Sequence, residues 1–143
     1  MIGSSVRPRG SLQMNAYLYC MRHYADFSGR ASRSEYWLFV LIFFLIYAVC
    51  LFIDYAIVGT APSAIPALSA IAYLIHFVPG LAVLVRRLHD IGRSGWWLLI
   101  SLVPVLGSIW LLVLLCSEGT YAPNEYGQNP NVPYATQAPP LRY

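Results

Sequence analysis

The sequence predicts an all-α integral membrane protein in which three transmembrane helices follow a short interfacial amphipathic helix. Three observations carry that expectation. The 143-residue chain is 58% hydrophobic, only 10% charged and carries a net charge of +3. A soluble domain of this size has too little interior for so much apolar side chain and needs more charge for its surface. The apolar residues gather into runs long enough to cross a bilayer, and the arginines gather at the borders of those runs.

The elements follow in chain order. Residues 1–13 have no apolar stretch of the kind a signal peptide needs, and they read as a dispensable extension before a start at Met14. Residues 14–35 form a cytoplasmic interfacial segment, in which Tyr17, Leu18, Met21, Tyr24 and Ala25 recur at helical spacing. Phe27-Ser28-Gly29 reads as a turn, and Ser32 three residues before Glu35 forms a capping box that starts the first span.

Trp37 to Ile53 is an uninterrupted apolar run, WLFVLIFFLIYAVCLFI, giving a first span over 36–58. About twenty residues at about 1.5 Å each cross a hydrocarbon core of about 30 Å. A second span over 64–85 ends at Arg86 and Arg87, and a third over 96–116 opens on Trp96 and Trp97, residues suited to the interface. Pro79 and Pro104 are expected to kink these helices, which membranes tolerate when neighbours satisfy the freed carbonyl. The tail, 117–143, holds five prolines and few aliphatic residues, and is expected to be flexible, with Gly119 to Pro130 folding back as turns.

Basic residues set the orientation. Arg7, Arg9, Arg22, Arg30 and Arg33 precede the first span, and Arg86, Arg87 and Arg93 separate the second from the third. The loop 59–63 has no arginine, and the tail has only Arg142. The positive-inside rule then puts the N-terminus and the second loop in the cytoplasm and the C-terminus outside.

Two motifs flank these spans: Phe27-Ser28-Gly29-Arg30-Ala31-Ser32-Arg33-Ser34-Glu35-Tyr36-Trp37 and Arg86-Arg87-Leu88-His89-Asp90-Ile91-Gly92-Arg93-Ser94-Gly95-Trp96-Trp97. With Met14-Asn15-Ala16-Tyr17 and the tail from Gly119-Thr120 through Asn124-Glu125-Tyr126-Gly127-Gln128-Asn129-Pro130, the chain resembles the domain of unknown function 805 family of small bacterial inner-membrane proteins. The resemblance implies a bacterial plasma-membrane location and a start near Met14. The chain departs from it at Tyr121-Ala122-Pro123, where the family tends to have Pro-Gly-Glu. It brings no catalytic residue with it.

On the expected topology Arg30, Arg33 and Glu35 meet Arg86, Arg87, His89, Asp90 and Arg93 at one interface. Two readings stay open there. One is a structural ion-pair network of arginine forks on Glu35 and Asp90. The other is a site for anionic lipid headgroups, where each surface cation contributes about 1 kcal/mol. His89 beside Asp90 raises acid–base chemistry, but a positioned nucleophile or metal cluster is missing, so no enzyme is expected.

Cys20 and His23 have the spacing of half a zinc site without a second pair, so neither metal nor cofactor is expected, and three irregular cysteines form no disulfide framework. Basic residues beside apolar spans argue against nucleic acid. Inside the membrane, His76 on a face with Ser69, Ala72, Pro79 and Gly80, and Asp54 with Tyr47 and Cys50, either line a polar path or bond neighbouring helices.

The sequence therefore points first to a structural or interaction protein that engages anionic lipid or a partner through an arginine-rich cytoplasmic face. A subunit of an oligomeric transporter or channel comes second and an interfacial enzyme third. Membrane lipids, a second copy or another membrane protein are the expected partners.

Overall fold

Ser32 and Glu35 start the membrane-embedded part of the fold, and they do so in the computed structural model, which describes residues 12–59 and 66–131. The Ser32 side chain accepts the Glu35 amide while the Glu35 carboxylate accepts the Ser32 amide, at 3.3 and 3.0 Å. This is the capping box that satisfies two otherwise orphaned donors. Before it lies α1, Leu12–Arg22; after it come α2, Arg33–Val58, and α3, Ala67–Asp90. A 3-10 helix, Gly95–Leu102, and α4, Leu106–Cys116, complete the described helices, and no strand is present among the described residues.

The helices α2 and α3 are long and apolar enough to cross a membrane. Their 26 and 24 residues, at about 1.5 Å each, exceed a core of about 30 Å. They run antiparallel. At one end Asp54 of α2 accepts the amides of Leu68 and Ser69 at 3.1 and 2.8 Å, and at the other the amide of Ala31 reaches the carbonyl of Arg86 at 3.0 Å. No side-chain cap comes from Pro66 at the start of α3, so Asp54 supplies the carboxylate that the exposed amides and the helix dipole favour. Pro79 lies buried inside a continuous α3.

The structure does not confirm a third crossing helix. Residues 96–116 do not form one crossing helix: the 3-10 helix ends at Leu102, the chain reverses at Val103-Pro104-Val105, and α4 returns beside it. Proline has no amide to continue the ladder, and Val105 takes φ 63°, a rare conformation for a β-branched residue. Gly107 lets the two arms meet, because a Cβ there would sit 1.8 Å from the Ile100 carbonyl oxygen. Each arm is about 16 Å long, half the depth of the hydrocarbon core.

The hairpin begins and ends at the same place. A Cβ on Gly95 would fall 2.9 Å from Val85 near its entry, and the Arg87 guanidinium donates to the Leu115 carbonyl at 3.1 Å near its exit. Its end therefore lies beside Asp90, where the amide of Thr120 meets the Asp90 carbonyl at 2.9 Å. The described part of the tail, residues 117–131, thus lies at the same end of the molecule as the arginine-rich loops, whereas the sequence placed the tail opposite them.

The first helix also departs from a purely interfacial role. Ala16 and Cys20, four residues apart, are buried, and α1 packs against both α2 and α3, whereas Leu18 and Tyr24 are exposed. The main core joins Cys20, Tyr36, Phe39, Val83, Leu88, Leu111 and Leu114, all from the Asp90 end. Ser117 to Asn131 is held by hydrogen bonds where composition suggested a flexible tail; residues 132–143 and the extension before Leu12 lie outside the described residues.

Candidate functional site

Asp90 closes α3, and Arg87 precedes it by one helical turn. The Arg30 Nε donates to Asp90 Oδ1 at 2.9 Å, and Arg87 Nη1 donates to Oδ2. All three side chains are buried, with Asp90 at 2% exposure. A carboxylate shared by two forks neutralises only one of them, so the spare donors need further acceptors.

Backbone carbonyls supply them. Arg30 Nη1 reaches Ala122 O at 3.0 Å and its Nη2 reaches Thr120 O; Arg87 Nη2 reaches Ser117 O and its Nε reaches Leu115 O. The last carbonyls of α4 lack helical partners and carry the negative end of its dipole, so a buried guanidinium suits that position. The site is a clamp in which one carboxylate and two arginines bind the tail to the end of the bundle.

The tail contributes its own contacts. Asn124 Nδ2 donates to the His89 carbonyl at 2.9 Å, and Asn129 Nδ2 donates to Thr120 O at 3.1 Å. The Tyr126 ring stacks on the His89 imidazole with centroids 3.8 Å apart and planes 4° from parallel. His89 Nδ1 lies 3.2 Å from the Gly29 carbonyl, which can only accept, so that nitrogen carries the proton. Upstream, hydrogen bonds from the Ser28 hydroxyl and amide hold the Asp26 carboxyl below its ordinary range and shape the turn that delivers Arg30.

The other expected residues sit around this clamp. Glu35 serves the capping box. Arg33, half-buried, pairs with the exposed Glu118 at 3.4 Å and donates to Ser117 O at 3.0 Å. Arg86 is buried on the α1 side, with Nε 3.4 Å from Ala82 O, Nη2 3.5 Å from Cys20 Sγ and its guanidinium 5.6 Å from the Tyr19 ring centre. Arg93 is exposed and lies 4.8 Å over the Trp97 ring.

Within the membrane part, Tyr17 of α1 donates its hydroxyl to His76 Nε2 at 2.6 Å, while His76 Nδ1 donates to Ala72 O at 2.7 Å. The rings of Phe39 and Phe43 pack beside it. Asp54 bonds Ser69, seven residues from His76 along α3 and so about 10 Å away. The two polar groups serve separate helix contacts and do not touch.

Sequence reasoning missed the tail side of the clamp: Gly119, Thr120, Asn124, Tyr126 and Asn129. Their signal was present as a dense run of small and amide residues, but a tail assigned to the opposite side could not be paired with Arg30 and Asp90.

A family model described as a protein of unknown function (DUF805) matches residues 24–128. The chain belongs to this family. Inner membrane protein YhaI of Escherichia coli is 44% identical over 117 residues, covering 82% of this chain and 96% of the relative. Inner membrane protein YhaH of the same species is 35% identical over 119 residues, covering 83% and 98%. No solved structure matches the chain significantly. The DUF805 match begins after α1 and takes in both spans, the hairpin and the clamp as far as Gln128.

Proposed function

We propose that this DUF805 protein is a structural or interaction protein of the bacterial inner membrane, whose clamped polar end rests on anionic lipid headgroups. The observation that carries this reading is the division of labour among the arginines. Arg30 and Arg87 are consumed by Asp90 and the tail carbonyls, whereas Arg22 at the end of α1 and Arg93 over Trp97 stay exposed at the rim. Cations beside an aromatic ring at the edge of apolar helices suit the headgroup layer.

By the positive-inside rule the clamped end faces the cytoplasm, which puts the N-terminal segment, the loop after α3 and the start of the tail on that side. A catalytic role gains no support, because Asp90 is held between two arginines and His89 is stacked with Nδ1 engaged. The transport reading gains no support from its two candidate residues, because Asp54 accepts the amide of Ser69 and His76 bonds Tyr17.

Native mass spectrometry of the protein released from nanodiscs containing phosphatidylglycerol tests the proposal. Retained anionic lipid should fall in the double variant Arg22→Gln/Arg93→Gln and persist in Arg142→Gln. Equal retention in all three proteins would refute it.

A further inference from the structure

The distribution of chain along the bundle is unequal. At the Asp90 end the contacts join α1, α2, α3, the 3-10 helix and α4. The contacts of α1 with α3 run from Arg86 to His76, and those of the hairpin stay near Val83, Val85, Arg87 and Leu88. Past His76, toward Asp54 and Ser69, the described contacts are those of α2 with α3.

Among the described residues, five helical segments therefore gather toward the Asp90 end of the bundle and two toward the Asp54 end. A helix with its side chains is about 10–12 Å across, so each covers about 80–110 Å² of leaflet. Counting the described helices, the Asp90 side is larger by about 300 Å² per molecule. The surplus is apolar where it meets lipid: Trp96, Leu102, Val105, Leu106 and Ile109 of the hairpin are exposed. It is also held rigidly, by Gly107 against Ile100 at the tip and by Arg87 against Leu115 and Ser117 at the base.

We propose that the protein is a wedge that binds preferentially to curved membrane, with the Asp90 half in the convex leaflet. A leaflet on the convex side has more area per lipid headgroup, so it accommodates the wide half with less compression, and apolar insertions of limited depth are known to respond to curvature. Steric shape carries this preference. It does not depend on the headgroup reading and persists in membranes without net charge.

The experiment reconstitutes the full chain into phosphatidylcholine vesicles graded in diameter from small to large, because the binding of apolar insertions is curvature-sensitive. A membrane-impermeant maleimide then reports orientation through Cys116, which is exposed at the clamped end, while Cys20 is buried and Cys50 lies within α2. Molecules labelled from outside carry the wide half in the outer leaflet; their density should rise about two-fold or more from the largest to the smallest vesicles, and that of unlabelled molecules should fall.

The two orientations of one folded protein are each other's control, so misfolding of a variant cannot mimic the result. Equal densities at all diameters, or the same trend in both orientations, overturn the proposal. Cross-linking that shows a second copy seated along Phe44 and Phe52 also overturns it, because a dimer there fills the narrow half.

Discussion

Gly119 lies against the Asp90 carboxylate so closely that a Cβ at that position would sit 2.1 Å from Oδ2. The tail can therefore cross the buried acid only where it has no side chain. Gly119→Ala is expected to push the tail off the clamp or distort the Arg30–Asp90–Arg87 geometry, at a cost of about 1–3 kcal/mol, typical of overpacking a tight site. Thermal unfolding in detergent measures this, and an unchanged midpoint would contradict the contact.

Removing the acid and one of its bases together should cost less than the two single removals added. Asp90→Ala leaves two buried guanidiniums without their counter-charge, and breaking one partner of such a group costs about 3–5 kcal/mol. In the double variant Asp90→Ala/Arg30→Met the loss should be smaller than the sum of the single losses. A double-mutant cycle that closes additively would show that the pair is not coupled.

The hairpin makes a topological prediction independent of any function. Cys116 should react with an impermeant thiol reagent from the same side of the membrane as a cysteine introduced by Arg93→Cys, because the chain between them enters and returns. Labelling from opposite sides would restore a third crossing.

Tyr17→Phe should keep the ring packing of α1 on Phe39 while leaving His76 Nε2 without its donor. An unsatisfied buried acceptor costs about 1–3 kcal/mol. Nitrogen NMR of labelled histidine should show the Nδ1-protonated tautomer in the parent protein, and finding Nε2 protonated there would rule the Tyr17 bond out.

The turn before Arg30 carries a weak pH dependence. Hydrogen bonds from Ser28 depress the Asp26 pKa in the folded state, so its contribution is present above the ordinary carboxylate value of about 4 and is lost as pH falls through the depressed value. The stability difference between the parent and Asp26→Asn should shrink on acidification; a difference that grows at low pH has the wrong sign.

What could be read from residue order alone was local. The apolar runs that become α2 and α3, the Ser32–Glu35 capping box and the border positions of the arginines follow from chain-neighbour chemistry, because hydropathy, helical period and capping act over a few residues. Membership of the DUF805 family was likewise legible in the motifs around Arg30 and Arg87.

The tertiary structure decided the rest. An apolar run of 21 residues fits a crossing helix and a folded hairpin equally well by length, and the choice rests on whether its two halves find each other, as Gly107 and Ile100 do. That choice puts the tail beside Asp90 and turns an arginine-rich surface into a buried clamp with only its rim exposed. Contacts between residues such as Arg30 and Thr120, distant in sequence, depend on how the chain returns, and local propensity carries no record of that path.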